Sequence, residues 1–202
     1  MDRERDADQV PREVIEEALD SDVFIVGQAL AQKTQRLSGR PYVRESGELS
    51  ETGEILDGFL RRFDYTIRRD PALPMVYSTD LVQRWPGPAP SGEGDRAPNA
   101  AERENCAPWF EAELVMVQPR VVLLLGGKAA NRFFRRYRGS ARYTWGQGES
   151  MNVAGRAVAA FPVHHPAYRR RKPQLVDAVY AEAATGIRTV LRSRSDMSGG
   201  PN

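Results

Sequence analysis

The chain has 202 residues, 41% of them hydrophobic, and 29 Lys and Arg against 27 Asp and Glu give a formal net charge of +2. That length supports one well-buried core and one domain. The single cysteine, Cys106, excludes an internal disulfide and any all-cysteine metal site and fits a reducing setting. No apolar run approaches the roughly 20 residues that span a bilayer. The charged start MDRERDADQVPREV lacks the apolar core of a signal peptide. A soluble, cytoplasmic protein with no membrane partner is expected.

In chain order, residues 1–9 read as a solvated tail. Pro11 suits a first helical turn, and VIEEAL continues it as a short helix. DVFIVG (22–27) is a short β-branched run ending in glycine, the pattern of a buried parallel strand. A long polar loop follows, of a length that is usually functional or disordered. GEILDGFLRRF is helical, with Ile55, Leu56, Phe59 and Leu60 on one face. PMVYSTD (74–80) is a second strand and runs into the Pro/Gly-rich loop QRWPGPAPSGEGDRAP. NAAERENCAPWFEAELVMVQ is helical, with Pro108 placed to kink or divide it. PRVVLLLGG (119–127) is the strongest strand, and KAANRFFRRY opens a helix directly after it. RAVAAFPV (156–163) is a fourth strand; after an HHP turn, PQLVDAVYAEAATGIRTVLRS closes the domain as a helix. The domain therefore spans 10–192, with a disordered tail over 193–202.

Four strands alternating with helices predict a three-layer α/β/α sandwich around a central four-stranded parallel sheet. Ligands of such folds bind beyond the C-terminal strand ends. GQALA, STD, GGK and HHP all fall there. GGK does not meet the spacing of a phosphate loop, and a tight strand-to-helix turn explains it, although the helix start at Lys128 could face a DNA phosphate. No Cys/His cluster has metal spacing. The cluster RFFRRYRGSARY (132–143) and the run Arg169, Arg170, Arg171, Lys172 are equally readable as nucleic-acid surface or as solvated helix faces. The two histidines, His164 and His165, stand side by side before Pro166, which stiffens the turn. A neutral imidazole there can donate into a site or simply cap a carbonyl.

The ordered set VGQALA, SGRPYV, VYSTDLVQRWPG, GDRAPNAAERENC, QPRVVLLLGGKAA and HHPAYRRR resembles the uracil-DNA glycosylase superfamily, most closely its family 4 and family 5 branches. The resemblance runs from about Val23 to Arg171. It implies a monomeric enzyme of base excision repair that flips a uracil or related deaminated base out of DNA and hydrolyses its N-glycosidic bond. His165 takes the place of the histidine that stabilises the departing base. Pro166, Ala167, Tyr168, Arg169, Arg170 and Arg171 resemble the loop that wedges into the duplex and holds phosphates. Tyr42 stands where the family stacks a phenylalanine on the base, and Gly27, Gln28 and Ala29 match the turn that contacts base and water. Cys106 matches one of four cysteines that hold an iron–sulfur cluster in family 4, but Arg84 occupies a second position and the N-terminal pair is missing. No cofactor and no metal are expected.

Two departures bear on function. The acid of the GEAPG-type motif is Gln28, which can orient a water but cannot act as a general base at neutral pH. Glu45 is the candidate base, against the competing reading of a solvated loop glutamate. Asp80 stands where an asparagine reads the base. Ionised, it only accepts hydrogen bonds and suits a donor-bearing edge such as that of cytosine; protonated, it can mimic asparagine. Three readings follow: a uracil-type glycosylase, a glycosylase for a cytosine-like or modified base, and a non-catalytic binder of damaged or single-stranded DNA.

Overall fold

The computed structural model describes residues 15–31 and 38–193, so the expectations for residues 1–14 and for the tail beyond 193 lie outside the described residues. Strands β1 (Val23–Gly27), β2 (Tyr77–Asp80), β3 (Val121–Leu125), β4 (Glu149–Val153) and β5 (Arg156–Val163) form one sheet in the order β2-β1-β3-β5-β4. Helices α1 (Glu51–Leu60), α2 (Ala100–Val117), α3 (Gly127–Arg138) and α4 (Pro173–Arg192) cover its two faces. The α/β class is as the sequence predicts, but among the described residues the sheet has five strands rather than four. The additional strand, β4, pairs antiparallel with β5 at the edge, from Glu149 opposite Ala160 to Val153 opposite Arg156.

Alternation along the buried strands builds both halves of the core. Val23, Ile25, Leu123 and Leu125 face Leu56, Phe59, Leu60, Tyr180 and Ile187 of α1 and α4. Phe24, Val26, Val122 and Leu124 face Phe110, Leu114, Phe133 and Phe134 of α2 and α3. Every residue of β1 and of β3 is buried, which is why both read as unbroken apolar runs.

Local chemistry sets the helix ends. Ser50 caps α1 by accepting the Gly53 N–H at 3.1 Å. Asn99 and Glu102 form a reciprocal capping box at the start of α2. Pro108 sits inside α2 without dividing it. The short helix read from VIEEAL is a single 3-10 turn, Glu16–Ala18, among the described residues. At the end of α1, buried Asp57 accepts from the Thr66 hydroxyl, the Ile67 N–H, Arg61 and Arg68. Burial alone would raise its carboxyl, and these hydrogen bonds outweigh that and hold it below the usual carboxylate value.

The basic cluster on α3 is a clasp to neighbouring elements. Arg132 bonds Glu104 at 3.0 Å, Arg136 bonds Glu111 at 2.9 Å, and Arg138 pairs with Glu149 while covering the Phe134 ring. Phe133 and Phe134 are fully buried. The interleaved aromatics thus belong to the core, and these three arginines tie α3 to α2 and β4. No described helix is long and apolar enough to cross a membrane.

Candidate active site

The parallel strands end together. Parallel register sets Gly27 beside Asp80 across β1 and β2. β3 delivers Gly126 and Gly127 to the same edge, and β5 delivers His165 just past Val163. A cleft of about 1030 Å³ opens there. Nine of the residues singled out from sequence line it: Gly27, Gln28, Ala29, Tyr42, Glu45, Asp80, Lys128, His165 and Arg170.

His165 caps a 3-10 turn, Pro166–Arg170. Its Nδ1 accepts the Ala167 N–H at 3.3 Å, so the neutral ring carries its proton on Nε2 and offers an N–H as its one donor. The ring is open to the cleft, yet the protein mass around it withdraws water and pushes the imidazole below the usual histidine value. Gly126 makes room for it: at φ +86° a Cβ there would lie 3.2 Å from the His165 Cβ.

Asp80 is 6% exposed, and its carboxylate lies directly over Gly27, where an added Cβ would fall 2.1 Å from Oδ1. The glycine at the end of β1 is therefore what lets this carboxylate occupy the cleft floor. Tyr42 approaches from the long loop in a left-handed conformation, φ 64°, and its carbonyl accepts the Ser50 N–H at 2.7 Å. Burial pushes the Tyr42 phenol well above its ordinary value, and the charge of Asp80 and the nearby Tyr180 add to that. Its ring is thus a neutral, anchored aromatic wall beside Asp80. Gln28 and Ala29 form the bend after β1 and are half-buried; Glu45 is exposed in a tight turn closed by the Gly47 N–H to the Arg44 carbonyl.

The segment after His165 separates into distinct roles. Pro166 is buried, whereas Ala167 and Tyr168 are exposed. Tyr168 leans on the His164 ring, which also packs on Trp145 at a centroid distance of 4.2 Å. His164 is therefore a packing residue, with Nε2 buried and making no hydrogen bond in the structure. Arg169 is held by Asp177 at 2.8 and 3.1 Å and does not line the cleft; Arg170 is held by Glu51 and does. Arg171 lies outside the cleft lining and is exposed.

Sequence reading gave no role to Ser50, Glu51, Asp95 and Arg96, which also line the cleft. The loop carrying the last two is stiffened by the Trp85 Nε1–H to Asp95 at 2.7 Å and by Arg96 on Glu102. The capping box of Asn99 and Glu102 was the available signal for that wall. Residues for an iron–sulfur cluster do not fit: Cys106 is half-buried on α2 and is the chain's one cysteine. Among the described residues no cluster of His, Cys, Asp and Glu is arranged to hold a metal ion.

The family model described as Uracil DNA glycosylase superfamily matches residues 15–184. The chain is 28% identical over 150 residues to a type-5 uracil-DNA glycosylase of Pyrobaculum aerophilum, an alignment covering 73% of the chain and 62% of that protein. It therefore spans less than two thirds of that relative. It is also 29% identical over 156 residues to a type-4 uracil-DNA glycosylase of the same organism, covering 76% of the chain and 70% of the relative.

Proposed function

We propose, from the premise that the chain belongs to the uracil DNA glycosylase superfamily, that it hydrolyses the N-glycosidic bond of a uracil or related deaminated base flipped from DNA, leaving an abasic site. The observation that carries this reading is the tautomer of His165. An Nε2–H donor stands at the end of β5, on the cleft that Asp80, Tyr42 and the Gly27–Gln28 bend also line.

The chemistry follows from those groups. The bond from the sugar C1′ to the base nitrogen breaks and its electron pair leaves with the base, so the sugar becomes oxocarbenium-like. Negative charge collects on the base oxygens. The Nε2–H of His165 donates to one of them and stabilises the anion as it forms. Tyr42 supplies the stacking wall. Water adds to C1′, oriented by Gln28, and a proton leaves it to solvent or to Glu45. Because bond breaking runs ahead of nucleophilic attack, an amide at position 28 is compatible with turnover. Tyr168, exposed on the turn, fills the gap left in the duplex. At about 1030 Å³ the cleft is at the upper end of small-ligand pockets and has room for a nucleotide rather than a base alone.

A second reading rests on Asp80. As a carboxylate packed on Gly27 it presents acceptors only, which suits a base edge carrying an amino group better than the O4 of uracil. One assay addresses both readings. Duplexes containing a single uracil, cytosine or modified cytosine are incubated with protein, and free base and abasic sites are measured. Uracil release abolished by His165→Ala supports the first reading. Release of amino-bearing bases, turned toward uracil by Asp80→Asn, supports the second. Tight binding with no release, indifferent to His165→Ala, refutes both and leaves a binding protein.

A further inference from the structure

Arg170 is the one arginine of the turn after His165 that lines the cleft, and it is not free. Its guanidinium grips both carboxylate oxygens of Glu51, the first residue of α1, with Nε at 2.8 Å from Oε1. The contact joins residues 119 apart in the chain. Both side chains are more than half exposed, 60% and 55%. Exposed pairs of this kind add little to stability, so holding the fold together is a poor account of it.

The surroundings resemble a phosphate site already filled by a carboxylate. Arg44 lines the same mouth, and its charge joins that of Arg170 in holding the Glu51 carboxyl below its usual value. Arg170 alone touches the acid, with the charge of Arg44 reaching it from the same mouth, and a forked guanidinium grips a carboxylate and a phosphate in the same way. Ser46, Ser50 and Thr52 line the mouth beside them. The contrast within the turn is informative. Arg169 makes the same forked contact, with Asp177 of α4, but away from the cleft.

We propose that Glu51 is an internal stand-in for a DNA phosphate: it holds Arg170 at the cleft mouth and yields it to a backbone phosphate of the strand whose base enters. The inference rests on the glycosylase reading. Glu51 then taxes every encounter with DNA by one carboxylate. Sequence-independent binding is weakened and its salt dependence flattened, while Arg170 stays aimed at the mouth between encounters.

The test is equilibrium binding of an undamaged fluorescent duplex, titrated with KCl between about 50 and 200 mM. Glu51→Gln is expected to bind about eightfold tighter at about 0.1 M salt, the counterion-release value of one phosphate contact. The log–log salt slope should steepen by about one. In an Arg170→Ala background the same substitution should change neither. Asp177→Asn, which removes one charge from the pair outside the cleft, should leave the slope as it is. No gain from Glu51→Gln overturns the proposal. So does a gain that survives Arg170→Ala or is matched by Asp177→Asn, because that is field repulsion and not exchange. Base release measured on the same preparations separates the two claims. A native chain that binds and cuts, with Glu51→Gln inert, rejects the stand-in alone; one that neither binds nor cuts rejects the glycosylase reading and the stand-in with it.

Discussion

Gly27→Ala probes the cleft floor with one methyl group. The new Cβ would lie 2.1 Å from Asp80 Oδ1 and 3.3 Å from its Cγ, so Oδ1 must retreat by roughly 1 Å. Asp80 is 6% exposed and its strand is paired to β1, so the carboxyl can only turn about its own χ angles. A side chain forced about 30° off its rotamer costs about 0.5–1.5 kcal/mol, and overpacking a filled site costs about 1–3 kcal/mol. For a chain of this size that is a Tm fall of about 2–4 °C per kcal/mol. The larger effect is on turnover. A misplacement of about 1 Å in a positioning group can cost about 100-fold, so kcat/KM on whichever base the native chain releases should fall by about that factor. Single-turnover base release and thermal melting read the two effects. Asp80→Ala removes the atoms that clash, so adding Gly27→Ala in that background should cost little further stability. An equal Tm loss in both backgrounds, or full activity of Gly27→Ala, would show that Asp80 does not sit over Gly27 and refute the floor described above.

Three further outcomes follow from the same geometry. The protein mass around the cleft-facing His165 ring lowers its imidazole, so the folded chain binds fewer protons there than the unfolded one; that contribution to stability is lost as pH falls below the ordinary histidine value of about 6.5. Protonation would also set an Nδ1–H against the Ala167 N–H, so the acid limb of base release should lie below about 6.5, and a midpoint at or above that value in a pH–rate profile contradicts the tautomer. His164→Phe keeps the stack with Trp145 and Tyr168 and removes a buried Nε2 that makes no hydrogen bond in the structure; melting should show unchanged or slightly raised stability with base release retained, whereas His165→Phe should abolish release. Asp57→Asn removes the charge that Arg61 and Arg68 share and should cost about 3 kcal/mol, a Tm fall of about 6–12 °C. The Asp57 carboxyl is held low, so its contribution is present above about pH 3.9 and lost as pH falls through the lower folded value; a melt of Asp57→Asn that matches the native chain at neutral pH contradicts this network.

The two central strands β1 and β3 were legible because each is buried on both faces and so spells an apolar run, VFIVG and VVLLL. The antiparallel edge strand β4 was not. β4 reads ESMNV, partly exposed along most of its length, and carries no such run. Its hairpin to β5 turns through Ala154 at φ 51° and Gly155 at φ 82°, a two-residue turn with both dihedrals positive. The usual Asn-Gly or Asp-Gly signal is absent, since alanine fills the first position. In the site, residues at strand ends were readable because topology brings them together whatever the loops do. Glu51, Asp95 and Arg96 were not, because they reach the cleft from a helix start and a Pro/Gly-rich loop whose path no periodicity encodes.

The paired histidines show how little separation such a fold needs to divide two tasks. Successive residues of an extended segment point to opposite sides. β5 ends at Val163, and His164 and His165 continue it for one residue on each side before Pro166 turns the chain. The first ring therefore falls among Trp145 and Tyr168, and the His164 carbonyl accepts the Tyr180 hydroxyl at 3.0 Å, fastening the strand end to α4. The second ring falls on the cleft, its tautomer set by the N–H of the turn that the proline starts. Packing of one imidazole thus helps fix the backbone that presents the other to the cleft. The arginines that follow repeat the division: Arg169 turns to Asp177 of α4, and Arg170 reaches the cleft mouth. A run of residues that looks like accumulated charge and imidazole is, in three dimensions, an alternation between side chains turned away from the cleft and side chains that line it.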